Sequence, residues 1–242
     1  MTRLTNGGII GKITTTPTTS SAIGKWNLSD QFIYKHQNMW TGGRIPPITT
    51  SLLSVYDGDS WNGSSWLDIY GSYHATTIRG TINNVSTTGN GASKTFNALS
   101  GNTGAGLQFP TGILPATYTL FHVTRTTGAS ARIVTGSNNN WLSTHWGGRS
   151  GVAYHEGWVT SSENYLHGNN WVYSTDQNYL LRTNGVSRGT GSPGASTNLS
   201  INHGTYAEYS DWACALVVVY NRTLSSSEYI EVENWIQSKY GV

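Results

Sequence analysis

Charge is what this sequence has least of. Lys, Arg, Asp and Glu make up 11% of its 242 residues, against roughly 25% in an average soluble chain. Ser, Thr, Asn and 29 glycines supply the polarity instead, so the surface is nearly field-free and its contacts depend little on ionic strength. The 14 Lys and Arg residues are scattered singly and the net charge is +2. No basic stripe tracks a phosphate backbone, which argues against nucleic acid as a partner. Long apolar runs are also missing: nothing approaches the ~18 consecutive apolar residues of a membrane span, and MTRLTNGGIIGK has no apolar h-region. Neither membrane insertion nor a signal peptide is expected, and folding in a cytoplasm is. With one cysteine there is no disulfide framework. Cys214 lies in the run Trp212 to Leu216 and reads as a buried thiol.

Carboxylates are scarce in the same way, with six Asp and six Glu. Glycoside hydrolysis needs two of them facing one cleft, which a strand achieves by spacing them at alternate positions. No such set is present. Glu208 and Asp211 are three apart, Glu228, Glu231 and Glu233 fall on a predicted helix, Glu156 stands alone, and Asp57 and Asp59 flank Gly58 in a turn. Gly185-Val186-Ser187-Arg188-Gly189 fits a nucleophile-elbow pattern but not its context. A strand-to-helix turn is required, whereas Asn184-Gly185 predicts a type I′ hairpin. The protein is therefore expected not to be an enzyme.

What the sequence does contain is short strands separated by Gly- and Asn-rich turns, which predicts an all-β antiparallel sandwich. Strands are expected at Ser51 to Tyr56, Thr117 to Arg125, Ala131 to Thr135, Val152 to His155, Trp171 to Ser174, Tyr179 to Thr183, Leu199 to Asn202 and from Leu216. The chain then turns into a short helix ending at Tyr240-Gly241. Ser225 and Glu228 have capping-box spacing, Leu224 and Tyr229 are placed as a hydrophobic staple, and Tyr229, Val232 and Ile236 share an apolar face. Residues 1–45 are different, with isolated aromatics (Trp26, Phe32, Tyr34, Trp40) among Gly and Thr/Pro clusters and no core of their own. They read as an N-terminal arm, and 46–242 as the sandwich.

The stretch VVVYNRTLSSSEYIEVENWIQSKYG strongly resembles the C-terminal end of laminin-G-like, concanavalin A-like lectin domains, and Ser60 to Gly71 resembles the turn that opens many of them. The resemblance brackets about residues 51 to 242 and implies a jelly-roll sandwich with a terminal helix. It also implies that Ca²⁺ at a rim is an option, for which Asp57 and Asp59, with Asp68 or Asp211, are the carboxylates at hand. Their own pattern reads as solvated turn residues, and no other cofactor is expected. The N-terminal stretch, through Gly7, Gly8, Gly11, Pro17, Ala22, Gly24, Trp26 and Trp40, resembles virion proteins of tailed marine bacteriophages. That resemblance implies a fibre, tail or capsid-decoration component at the virion surface. Trp26, Phe32, Tyr34 and Trp40 would dock it to other virion proteins, in a homo-oligomer for which a trimer is one option.

One region is dense in aromatics. Asn138 to Arg149 leads to Tyr154-His155-Glu156-Gly157-Trp158. Aromatic faces pack on the C–H faces of sugar rings while amide, imidazole and guanidinium donors orient hydroxyls. Trp141, His145, Trp146, Arg149, Tyr154, His155 and Trp158 are thus the candidate ligand residues, for a host-surface glycan. Core packing is the competing role for Trp141 and Trp158.

Overall fold

The computed structural model describes residues 43–163, 165–166, 168–191 and 195–242. Trp26, Phe32, Tyr34 and Trp40 lie outside them. In chain order the strands are β1 (Leu52–Asp57), β2 (Thr77–Arg79), β3 (Asn83–Gly89), β4 (Ala92–Gly101), β5 (Gly106–Gln108), β6 (Thr119–Thr126) and β7 (Val134–Gly136). They continue with β8 (Trp141–Trp146), β9 (Arg149–His155), β10 (Val172–Gln177), β11 (Leu180–Thr183), β12 (Val186–Thr190), β13 (Leu199–Ile201) and β14 (Trp212–Tyr220), and helix α1 (Ser226–Tyr240) follows. An eight-stranded sheet in the order β12-β11-β10-β6-β14-β4-β3, with β1 also on β14, faces a six-stranded sheet in the order β2-β5-β13-β7-β8-β9. The paired strands are antiparallel, as the turn pattern requires. The fold is the expected sandwich.

Strand β14 is buried along its whole length. Trp212, Cys214, Val217 and Val219 point between the sheets, while Ala213, Ala215, Leu216, Val218 and Tyr220 point to the other side. The alternation skips a beat at Leu216 because the register with β6 shifts between Cys214 and Leu216. Such a bulge places two neighbouring side chains on one face. Beside it, β6 alternates without interruption, with Leu120, His122 and Thr124 inward and Phe121 and Val123 outward.

Helix α1 covers the outer face of the large sheet. The Glu228 carboxylate reaches back to the Ser225 N–H at 2.9 Å, completing the predicted capping box. Gly241 ends the helix at φ 69°, a conformation that costs a glycine nothing. Val232, Trp235, Ile236 and Tyr240 are buried against the sheet, and Tyr229 is only half-buried, with Arg182 over its ring. Trp235 Nε1 donates to Gly43 O at 3.0 Å, and Ile45 and Ile48 join the same cluster, so the described end of the arm packs along this helix.

The Asn184-Gly185 hairpin has φ of 48° and 74°, as a type I′ turn demands, which puts Ser187 on β12 and not at an elbow. Because Ile236 is fully buried, Ile236→Ala is expected to cost about 2 to 4 kcal/mol and Ser225→Ala about 1 kcal/mol. Denaturant melts measure both, and two silent substitutions would show that α1 does not hold the sandwich.

Candidate functional site

Successive side chains on a strand point to opposite faces of its sheet, and this alternation sorts the aromatic-rich run of β8 and β9. Trp141, Ser143 and His145 point between the sheets, while Leu142 and Trp146 point outward. On β9, His155 points inward and Tyr154 outward. The extra residue that shifts the β8–β9 register is Gly151, at φ 85°.

Three of the expected ligand residues are therefore interior. Trp141 lies in the core with its ring stacked on His155 at 4.8 Å and 6°. His155 contacts Asp176 Oδ2 at 3.3 Å and Asn178 O at 3.1 Å, and Tyr118 donates to Asp176 Oδ1 at 3.1 Å. His145 bonds Thr124 Oγ1 at 3.2 Å and Ser150 Oγ at 3.3 Å. Its neighbour His122 bonds Ser143 and Thr124, at 3.0 and 3.1 Å. Burial pushes the His122 and His145 imidazoles down to about 3 and about 4, with each other's charge adding to the effect at His122. The imidazoles find their hydrogen-bond partners inside the sandwich, and Trp141, His145 and His155 are buried away from any ligand.

The outward residues assemble something else. Leu142, Trp146, Tyr154 and Trp158 line a cavity of about 310 Å³ with Arg132, Asn140, Tyr206 and Glu208. Trp158 packs edge-on against Trp146 (5.3 Å, 66°) and Tyr154 (5.1 Å, 79°). Trp158 and Tyr206 remain 40% and 44% exposed. Arg149 does not line the cavity but braces Trp146 from 5.1 Å. The polar side comes from Arg132, whose Nε meets Glu208 Oε2 at 2.5 Å and whose Nη1 donates to Asn140 Oδ1 at 2.9 Å, with Tyr206 against the guanidinium at 4.9 Å. An apolar body with a few placed polar groups is the chemistry of a small-ligand site.

Arg132, Asn140, Leu142, Tyr206 and Glu208 were not on the expected list. Arg132 and Glu208 are 76 residues apart and meet only because the segment before β14 returns beside the one leading into β7. The nearest sequence signal was the scarcity of charge, which makes any Arg or Glu in a neutral stretch conspicuous.

The carboxylates considered for Ca²⁺ are otherwise engaged. Asp57 is buried under Arg44, at 2.5 and 2.8 Å, and Lys239, at 3.3 Å. Burial opposes its ionisation, yet these cations hold it below the usual carboxylate range. Asp59 takes Asn97 Nδ2 at 2.7 Å. Asp68 accepts the backbone N–H groups of Val55, Tyr70, Gly71 and Tyr73 and so ties the Ser60 to Gly71 turn together. Asp211 accepts those of Thr103 and Ala129. Among the described residues no cluster of three His, Cys, Asp or Glu side chains is placed to hold a metal ion, and Asp57, one of the carboxylates named for that option, is a buried partner of two cations and not a solvated turn residue.

No protein-family model matches the sequence, and no curated protein matches it significantly. Solved structures share its fold. Domain 4 of an extracellular GH43 arabinanase from Geobacillus stearothermophilus, solved with arabinotriose, superposes with a TM-score of 0.58 at 16% identity, covering 76% of this chain and 98% of that domain. The binding domain of Paraclostridial Mosquitocidal Protein 1 gives 0.53 at 15% identity, with 78% of this chain and 52% of that one covered. Trypanosoma rangeli sialidase gives 0.52 at 14% identity, with 90% and 41% covered. The chain thus spans nearly all of the arabinanase domain but about half or less of the other two.

The buried histidines give the fold a pH dependence. Their values in the folded protein lie below the ~6.5 of an unfolded chain, so the unfolded state binds more protons as pH falls through that range. Stability is complete above about pH 6.5 and declines toward pH 4, by at most about 1.4 kcal/mol per pH unit for each histidine. Thermal melts from pH 8 to pH 4 should show the decline beginning near pH 6, well above the carboxylate range. A melting temperature that stays flat to about pH 4.5 would contradict neutral, buried His122 and His145.

Proposed function

We propose that this protein is a non-enzymatic, lectin-like carbohydrate-binding sandwich whose ligand occupies the outer pocket of the six-stranded sheet. The convergence of Trp146, Tyr154, Trp158 and Tyr206 around one small cavity, with Arg132, Asn140 and Glu208 at its polar side, carries this reading. A sugar ring has apolar faces and a polar rim, and the cavity offers surfaces for both. The related folds include a domain solved with arabinotriose, which is in keeping with such a ligand. A binding role is favoured over hydrolysis because Glu208 is the one carboxylate lining the pocket among the described residues and is already paired with Arg132, whereas hydrolysis of this kind uses two.

In the finer form of the proposal the sandwich is carried on the surface of a tailed-phage virion. Its N-terminal arm docks to other virion proteins, homo-oligomeric copies adhere to host glycan, and the weak field suits a particle that must bind in varied salt. That form is supported by the N-terminal sequence pattern. A carbohydrate-binding module of a secreted bacterial enzyme is the second reading, favoured by the near-complete coverage of an arabinanase's domain 4. On either reading a single site binds modestly, and display of many copies raises avidity by roughly 10² to 10⁴.

The test is retention on immobilised envelope polysaccharides of the host and on plant arabinan. Trp158→Ala and Trp146→Ala should each weaken retention about tenfold, equivalent to about 1.4 kcal/mol, with little effect on the melting temperature at the exposed Trp158. Binding of a neutral sugar forms no ion pair with the ligand and should survive high salt. Retention that is lost in salt, or that both substitutions leave intact, would move the site elsewhere.

A further inference from the structure

The outer pocket contains an ion pair with hydrogen-bonding capacity to spare. Arg132 lies with its side chain only 6% exposed, and Glu208 across from it is 43% exposed. A guanidinium has five N–H donors. The protein's own hydrogen bonds use Nε, on Glu208 Oε2, and Nη1, on Asn140 Oδ1. Among the described residues no protein acceptor takes the Nη2 donors, and no donor takes Glu208 Oε1. The spare donors of a largely buried arginine and an adjacent half-exposed acceptor, fixed to each other by their own ion pair, thus line the same cavity as the aromatic walls.

We infer that the Arg132–Glu208 pair is the specificity-determining element of this pocket and reads a vicinal diol on a neutral sugar; the inference rests on the carbohydrate-binding reading above. One hydroxyl of the diol accepts from Arg132 Nη2, its neighbour donates to Glu208 Oε1, and the ring's C–H face lies on the aromatic wall. A lone hydroxyl satisfies only half of this set and so gains only part of its hydrogen-bond energy. Acidic sugars are rejected for a separate reason. Among the described residues Arg132 is the cavity's one cation and is already paired with Glu208, so a ligand carboxylate would place a second anion beside the first in a partly desolvated cavity, and like charges there disfavour one another.

Affinity electrophoresis of the full chain tests this. The gels contain arabinan, galactan or mannan, or the carboxylated polymers polygalacturonate and polysialic acid, and each neutral polymer is run before and after periodate, which cleaves vicinal diols. The expected result is retardation by at least one neutral polymer, abolished by periodate, with none by the acidic polymers. Glu208→Gln should weaken the neutral interaction about tenfold or more at an unchanged melting temperature. If that variant unfolds, the polymer panel with the parent protein still decides. Retardation by the acidic polymers, or neutral binding that survives periodate or a folded Glu208→Gln variant, overturns the diol inference while leaving carbohydrate binding in place. Retardation by no polymer overturns both.

Discussion

The structure depends on one strand that is apolar on both sides. Strand β14 feeds both hydrophobic clusters along its whole buried length, with Trp212, Cys214, Val217 and Val219 in the inter-sheet core and Ala213, Leu216, Val218 and Tyr220 in the layer under α1. Burying such a side chain fully contributes roughly 1.5 to 3 kcal/mol, so this strand commits the chain to three layers: small sheet, large sheet and helix. It also decides which surface is left. With α1 over one outer face, the other outer face, that of β8 and β9, stays open and carries the pocket.

Sheet pleating then divides labour within one short stretch. Trp141 and Trp146 are five residues apart on the same strand, yet the first stacks on His155 in the interior and the second lines the pocket. The interior side of this end of the sandwich is unusually polar, with His122, Ser143, Thr144, His145 and Ser174 hydrogen-bonded across the sheets. A network of this kind requires every partner in place, and it fixes the register of β8 against β6 and β10. The outward residues of β8 thereby become a rigid platform. Thr144, at φ 76°, is a strained position for a β-branched residue and lies in the strand that joins the two.

Local signals were read well from the sequence and long-range ones were not. The C-terminal strand, capping box and Gly241 stop are determined by neighbours in the chain, so their residue pattern suffices. The β3–β4 hairpin is not legible in the sequence because its exposed strands, NNVSTTG and much of ASKTFNALSG, present Asn, Ser and Thr in place of apolar alternation. Its one clear mark is the turn Gly89-Asn90-Gly91, at which each φ is positive. For the pocket, the aromatic run identified Trp146, Tyr154 and Trp158, but periodicity could not say which alternate residues face inward. The Arg132–Glu208 pair spans 76 residues, and no local pattern encodes such a meeting.

The central claim is that sugar is held by the outward aromatics of β8 and β9 and not by the interior ones. A heteronuclear spectrum of the indole N–H groups, recorded on the full chain with its ten tryptophans and titrated with neutral arabinan- or galactan-derived trisaccharides, tests it most directly. The account predicts that the Trp146 and Trp158 resonances move in proportion to occupancy while those of the buried Trp66, Trp141 and Trp212 remain in place. Shifts confined to other tryptophans, or no shift of Trp146 and Trp158 under conditions where the trisaccharide is bound, would contradict it.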